Sequence, residues 1–464
     1  MAIELIPHTG RLNEDVPLDF GEAPAITPRM YQERIEDLLD AGCEFTHLVI
    51  YADREHFSNL EYLTGYDPRF EECFLILRKG ETPTLVLGNE GMGQSLCVTV
   101  PVRRVLCQML NPLGQARGNS QSPAGVFRSA GIDEHAHVGL LGWKSFCAKE
   151  TPAWEHTFEV PSFIVDALRE VCPDVRNANG LLMDNQTGLR MTHGAEELVL
   201  SELASTKASR KTWDFIRGLR PGLTELEASQ AFNIDGEPCP THPNICFKGR
   251  GILSPDPWTR LEYGKDIAFG MGYRCAQIHR VGVYARNREE FDRHFPGAFE
   301  GLYKKYFQAV CVWYESVAIG ATGGEVWQAV RDAIGCSYEE FGIGLNPGHV
   351  IHTEEWTNSP FSEGDATVLR SGMMLQCDFT ARQSRFNNLG VHIEDGVILA
   401  DKAMRDRILT MAPLCMKRML ERQRFMRETL GIRLHDEVLP TSDLAGLLFP
   451  FLASVDCVFA QKRN

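Results

Sequence analysis

The sequence lacks both a long apolar run and an excess of basic residues. No stretch of about 18 consecutive apolar residues occurs, so no transmembrane helix is predicted. Residues 1–20 have no basic flank leading into an apolar core, so no signal peptide is predicted. Acidic residues outnumber basic ones by 62 to 47, and the formal net charge is −15. This charge argues against nucleic acid or an anionic membrane surface as a partner.

Closely spaced cysteine pairs are also missing. The 14 cysteines are scattered singly from Cys43 to Cys457, and none belongs to a C-x-x-C pair. A zinc ribbon or a disulfide framework is therefore not expected. Isolated cysteines in a chain without an export signal are typically reduced and buried. We therefore predict a cytoplasmic protein.

The length of the chain, 464 residues, predicts two domains. In the first part, residues 46–52 and 138–143 read as buried strands, and residues 72–88 read as a hairpin. A helical pattern over 162–173 follows. Strands that alternate with helices predict an α/β domain over residues 1–190.

The second part, residues 191–464, predicts a larger domain with both helices and strands. Thr224 and Glu227 have the spacing of a capping box, which predicts a helix start. Helical patterns precede strand-like ones twice, over 194–285 and again over 289–400. This repetition predicts an α+β domain with two pseudo-duplicated halves.

One short segment concentrates groups that could carry chemistry. Residues 344–356 read GLNPGHVIHTEEW, in which His349 and His352 run directly into Glu354 and Glu355. Histidine and glutamate are both metal ligands and general acids or bases. The two glutamates follow the predicted strand, and we expect them in a solvated turn.

Several motifs in collinear order resemble the creatinase/aminopeptidase P/prolidase family. The stretches that carry the resemblance are HFSNLEYLTGYDPRFEECFLIL, LRPGLTELEAS, YGKDIAFGMG, SGMMLQCDFTA and GVHIEDGVILA. The last is similar to the family's GVRIED motif and is the most specific. The resemblance implies a creatinase-type N-terminal α/β domain followed by a pita-bread catalytic domain.

The resemblance also bears on metal binding. Metal-dependent members of that family bind two divalent ions through two aspartates, one histidine and two glutamates. When the family's second histidine is aligned with His352, the five positions hold Gly270, Gln277, Leu345, Asp378 and Glu394. Glycine and leucine offer no ligand, and glutamine is a weak one. The resemblance therefore implies no metal and no other cofactor, and FGMGYRCAQIHRVGVY is more similar to the metal-independent creatinase branch.

We predict three catalytic residues: His352, Glu394 and Asp378. His352 would contact a carbonyl or transfer a proton, Glu394 would act as a base, and Asp378 would bind a cationic group. Predicted substrate-binding residues are His279, Arg280, His349, Gln277 and His392. Each of these three histidines could instead point outward, and Arg280 could instead form a structural ion pair.

Three functions fit these observations. The first is metal-independent cleavage of a C–N bond, by hydrolysis or elimination, in a small zwitterionic or cationic substrate. The second is a pita-bread module that binds a peptide or protein without chemistry. The third is an Xaa-Pro-type metallopeptidase with rearranged ligands. The resemblance also implies a homodimer, with a small-molecule substrate as the other partner.

Overall fold

The computed structural model describes residues 2–248 and 253–462, which form two compact units. The N-terminal unit is Ile26–Met191, and the C-terminal unit combines Met1–Ala25 with Thr192–Asn464. Residues 1–25, predicted to lie in the first domain, thus belong to the C-terminal unit. The reason is strand pairing: β1 (Ala2–Pro7) pairs antiparallel with the last strand, Cys457–Lys462.

The N-terminal unit has a six-stranded mixed sheet between helices. Its strands are β2 (His47–Ala52), β3 (Cys73–Leu77), β4 (Thr84–Leu87), β5 (Arg103–Leu106), β6 (His137–Leu141) and β7 (Asp174–Asn177). Their order in the sheet is β5-β4-β3-β2-β6-β7. The helices are α1 (Pro28–Ala41), α2 (Ser58–Thr64), α3 (Asn89–Gln94), α4 (Pro123–Ser129), α5 (Ser162–Val171) and α6 (Gly180–Met183). The predicted strands, the hairpin and the helix near residue 165 are all confirmed.

The C-terminal unit has an antiparallel sheet of eight strands. They are β8 (Asn244–Cys246), β9 (Asp266–Tyr273), β10 (Ala276–Val283), β11 (His349–Val350), β12 (Met374–Asp378), β13 (Ala381–Gln383), β14 (Leu389–Leu399) and β15 (Val438–Pro440). The central order is β11-β12-β14-β10-β9-β8, and β13 and β15 also pair with β14. The last strand, Cys457–Lys462, is β16 and pairs only with β1 among the described strands.

Eight α-helices accompany this sheet in the described ranges. They are α7 (Ala195–Gly218), α8 (Glu225–Ser229), α9 (Arg288–His294), α10 (Lys304–Ser316), α11 (Gly323–Ile334), α12 (Tyr338–Phe341), α13 (Lys402–Met411) and α14 (Pro413–Glu428). The predicted capping box is present, because Thr224 and Glu227 each bond to the other's backbone N–H at the start of α8. None of the described helices combines the length and the apolar character that crossing a bilayer requires.

A buried ionic network holds α7 and α14 together. The Arg418 guanidinium donates to the Glu202 carboxylate, and Arg422 donates both to Glu202 Oε1 at 2.7 Å and to Asp443 Oδ1 at 2.6 Å. All four side chains are fully buried. Burial raises the pKa of Glu202 and of Asp443, but the arginines more than offset it, so both pKa values lie below their usual range. Charges this deep are retained only when they are paired.

Candidate functional site

The site is built on one row of residues that crosses the antiparallel sheet. Asn244 pairs with Gly270, Gly270 with His279, His279 with Glu394, and Glu394 with Asp378. Residues directly opposite each other on neighbouring strands point to the same face of a sheet. The register alone therefore places the side chains of His279, Glu394 and Asp378 side by side.

Six ionisable side chains meet on this face, and we call them the central cluster. They are His279, His349, Glu355, Asp378, His392 and Glu394. His349 lies on the two-residue strand β11, and its Nε2 is 3.2 Å from Glu355 Oε1 and 3.5 Å from Asp378 Oδ2. Its ring stacks on Trp356 at 4.3 Å between centroids, which fixes the imidazole in place.

Asp378 and Glu394 each lie between two imidazoles. The two oxygens of Asp378 are 3.5 Å from His349 Nε2 and 3.6 Å from His392 Nε2. Glu394 Oε1 lies 4.0 Å from His349 Nε2, and Glu394 Oε2 lies 4.0 Å from His392 Nε2. Gln376 Nε2 donates to Glu394 Oε1 at 3.1 Å and to the Gln277 carbonyl at 2.7 Å. The carboxylates are thus held in fixed orientations inside the cluster.

The two carboxylates have opposite proton affinities. Burial raises the pKa of Glu394 to about 7, and the nearby charges of Asp378 and Glu355 add to the shift. Burial also acts on Asp378, but the His349 hydrogen bond and the His392 charge hold its pKa below the usual range. One group that exchanges a proton near neutrality thus lies beside one that stays ionised, which is the arrangement acid–base chemistry needs.

The imidazoles also differ. Burial tends to lower the pKa of His349, but the charges and hydrogen bonds of Glu355 and Asp378 raise it well above its usual value. Burial and the neighbouring His392 lower the pKa of His279 to about 3, so this imidazole is neutral at physiological pH. His279 Nε2 and His392 Nδ1 are buried and have no hydrogen-bond partner within the described ranges. Buried polar atoms are normally paired, so these two nitrogens are available to a ligand.

Comparison with known proteins shows similarity in fold but no similar sequence. No protein-family model and no curated protein sequence matches this chain. Among solved structures, the prolidase from Pyrococcus horikoshii OT3 superposes with a TM-score of 0.61 at 16% identity, covering 79% of this chain and 95% of that one. The Xaa-Pro dipeptidase from Bacillus anthracis gives 0.60 at 16% identity, covering 80% and 96%.

The chain has the pita-bread fold. A third similar structure is the N-terminal domain of the FACT complex subunit SPT16 from chickpea, Cicer arietinum, with a TM-score of 0.56 at 12% identity over 81% of this chain and 95% of that one. The predicted two-domain architecture, an α/β domain followed by a pita-bread domain, is therefore confirmed.

The structure brings most of the predicted site residues together. His279, His349, His392, Asp378 and Glu394 all belong to the central cluster. Gln277 adjoins it, because its carbonyl accepts a hydrogen bond from the Gln376 side chain that also holds Glu394.

Arg280 and His352 lie elsewhere in the pita-bread unit. Arg280 points to the opposite face of β10, where its Nη2 donates to both oxygens of Asp395 and to the Leu444 carbonyl. Of the two alternatives open for Arg280, the structural ion pair is the one observed. His352 Nε2 lies 3.3 Å from Glu197 Oε1, and its ring stacks on His193 at 4.2 Å. His352 therefore belongs to a second group, formed with Glu197 of α7 and with His193 just before that helix, that the sequence did not indicate.

Leu345, which the alignment places at the family's metal-binding histidine, does not belong to the central cluster. It is 57% exposed, whereas His349 is fully buried against Asp378. Gly348 explains the placement, since it has φ +119° and any Cβ there would lie 2.5 Å from the Gln376 carbonyl oxygen. Glu355 is also not in a solvated turn, because it contacts His349.

The two-ion ligand set of metal-dependent pita-bread enzymes does not fit this chain. Gly270 has no side chain, and Gln277 contributes at most a neutral oxygen. An aspartate at position 270 would also collide with the site, because a Cβ there would lie 2.6 Å from His279 Cδ2. The space that a ligand would need is thus occupied by an imidazole.

Replacing Gly270 with alanine should therefore cost stability. The added methyl group overlaps the His279 ring and the Ile278 carbonyl oxygen, at 2.6 and 2.7 Å. Overpacking of this kind costs about 1–3 kcal/mol. We expect a loss of that size in the free energy of unfolding, measured by chemical denaturation. Gly344→Ala is the control, since a Cβ at Gly344 meets nothing within 4 Å. Equal stability of the two variants would contradict the steric argument.

Proposed function

We propose that this chain is an enzyme that hydrolyses a C–N bond in a small zwitterionic or cationic substrate. The observation that carries the proposal is the convergence of two carboxylates and three imidazoles in one buried cluster. Burying ionisable groups costs free energy of folding, and clusters of such groups are typical of active sites. Hydrolysis is favoured over elimination because two of the similar structures are a prolidase and an Xaa-Pro dipeptidase.

The chemistry follows from the positions of Glu394 and Asp378. Hydrolysis needs a base that takes a proton from water and an acid that gives one to the leaving nitrogen. Glu394, with a pKa of about 7, can do both in turn. Asp378 stays ionised and can bind an ammonium or guanidinium group. His352 contacts Glu197 in a separate group, so the proposal assigns it no step.

Independence from metal is not part of this proposal. The alignment implied it because only Asp378 and Glu394 remained as ligands. The structure adds three imidazoles and Glu355 to those two carboxylates. Kinship with the creatinase branch and the homodimer remain predictions, and sedimentation of the purified protein would test the latter.

A substrate panel tests the proposed activity. The panel consists of Xaa-Pro dipeptides, other dipeptides and guanidino acids, and the readout is the amine or amino acid released. We expect turnover of at least one class by the wild type and none by the double variant Asp378→Asn/Glu394→Gln. Turnover that persists in the double variant would place the chemistry elsewhere, and no turnover with any class in the panel would contradict the proposal.

One observation favours a second candidate, a binding module without chemistry. A protein with the same fold is a domain of a complex subunit, SPT16. A stable peptide or protein partner, retained by the double variant and accompanied by no turnover, would support this alternative over the enzyme.

A further inference from the structure

This chain lacks the metal ligands of the family pattern at positions 270 and 277, but the central cluster contains another set of possible metal ligands. We propose that His279, His392 and Glu394 bind one divalent transition-metal ion. The inference deepens the proposed function and rests on it for the role of the site. In the metal-free protein Glu394 is free to exchange a proton, whereas with the ion bound its carboxylate would be a ligand. The binding itself can be measured without turnover.

The geometry of the three groups fits one ion. One ligand atom from each lies within 4.8 Å of the other two. His392 Nε2 is 4.0 Å from Glu394 Oε2, and the His279 and His392 rings are 5.0 Å apart between centroids. Zinc bonds to nitrogen and oxygen are about 2.0–2.2 Å long, so one ion spans roughly 4 Å between opposite ligands. The ligand atoms, which lie up to 4.8 Å apart, would have to approach one another slightly to bind it.

In the triad, the Nε2 atom of His279 is the polar atom that points to a ligand. It is buried and has no hydrogen-bond partner within the described ranges, and His279 is 7% exposed. Water or protein normally satisfies such an atom. A metal ion that accepts its lone pair would satisfy it as well, and His392 would bind the same ion through Nε2, the nitrogen that faces Glu394.

His279 and His392 would provide metal ligands that positions 270 and 277 do not provide in this chain. Gly270 faces His279 across the β9–β10 hairpin, and a side chain at Gly270 would overlap the imidazole. The absence of a carboxylate at Gly270 and the presence of a histidine at 279 are thus sterically coupled. His392 stands where the similar GVRIED motif has arginine. An imidazole that can bind a metal thus replaces a guanidinium that cannot.

The other half of the cluster is the weaker candidate. His349 is already paired with Glu355 and Asp378, at 3.2 and 3.5 Å, and these ion pairs satisfy its charge. The triad of His279, His392 and Glu394 has no such pairing for His279. The guanidinium next to it in sequence, Arg280, is committed to Asp395.

The donor types predict which ions bind. Two imidazoles and one carboxylate suit borderline ions such as Zn²⁺, Co²⁺, Ni²⁺ and Fe²⁺, whereas Mg²⁺ and Ca²⁺ prefer oxygen alone. We therefore expect Zn²⁺ and Co²⁺ to bind far more tightly than Mg²⁺.

Metal binding can be measured directly on the full chain. Metal-free protein is titrated with Co²⁺, the visible absorption of the bound ion is recorded, and bound metal is counted by elemental analysis. The variants are His279→Gln and His392→Arg, the second of which introduces the residue of the similar motif. The control is His47→Gln, because His47 is a buried histidine of the other unit with an unpartnered Nε2. Circular dichroism checks that each variant is folded.

We expect one equivalent of Co²⁺ in the wild type and the control, and affinity reduced by more than about tenfold in both site variants. Retention of Co²⁺ by folded His279→Gln and His392→Arg, with loss in His349→Asn, would move the ion to the other half and overturn the inference. Absence of binding in the wild type would also overturn it. Bound metal without turnover would support this inference and contradict the proposed function, whereas turnover by a wild type that binds no Co²⁺ would do the reverse.

Discussion

Replacing Glu394 with glutamine should lower turnover by at least about 100-fold, because general acid–base catalysis contributes about 10²–10⁴-fold. Glutamine has nearly the same shape as glutamate, and its Oε1 can still accept the hydrogen bond from Gln376. It cannot exchange a proton near neutral pH. The measurement is kcat and KM of metal-free wild type and variant on the best substrate of the panel. We expect most of the loss in kcat, since the substrate contact assigned to Asp378 is unchanged.

The matched control is Glu289→Gln, a glutamate of the same unit whose side chain is 84% exposed and pairs only with Arg293 among the described contacts. It should leave turnover unchanged. The idea that Glu394 moves a proton fails if Glu394→Gln retains more than a tenth of wild-type kcat while folding normally. A rise in KM at constant kcat would instead assign Glu394 to binding.

Replacing Arg422 with methionine should destabilise the protein by about 3–5 kcal/mol, the usual cost of removing one partner from a buried ionic network. Arg422 bonds to Glu202 and to Asp443, and all three side chains are fully buried. Chemical denaturation monitors the loss. Arg433→Met is the control, because Arg433 pairs with Glu315 but is 73% exposed. Such exposed pairs contribute about 0–1 kcal/mol.

The same variant makes a prediction about pH. The pKa values of Glu202 and Asp443 are lowered in the folded protein, so their stabilising contribution is present above the unfolded pKa values of about 4. It is lost as the pH falls through the lower, folded values. The gap in melting temperature between wild type and Arg422→Met should therefore be wide at pH 7 and narrow towards pH 3. A constant gap would mean that the network does not act through charge.

The sequence predicts much of the fold because strands and helices leave local patterns. The apolar runs at 46–52 and 138–143 are strands β2 and β6, and the capping box at Thr224 begins α8. The pairing of β1 with β16 was not predicted, since it joins residues 450 to 460 positions apart. No local pattern records such a contact.

The site was predicted in part for the same reason. Asp378 ends one apolar run and Glu394 interrupts another, each in a recognisable motif. Their strands are adjacent, which places the two carboxylates together. His349 and His352 could not be separated by sequence, because β11 has only two residues and carries no periodicity. Arg280 follows His279 directly, so alternation along β10 places it on the other face. That signal was available in the sequence.

The pairing of β1 with β16 has a consequence for how the chain matures. During synthesis β1 leaves the ribosome 450 residues or more before its partner Cys457–Lys462. Domains generally fold as they leave the ribosome, at about 5–20 residues per second. Ile26–Met191 can complete its own core during that time. β1 must therefore stay unpaired until β16 has been made, so this pairing forms long after the synthesis of Ile26–Met191.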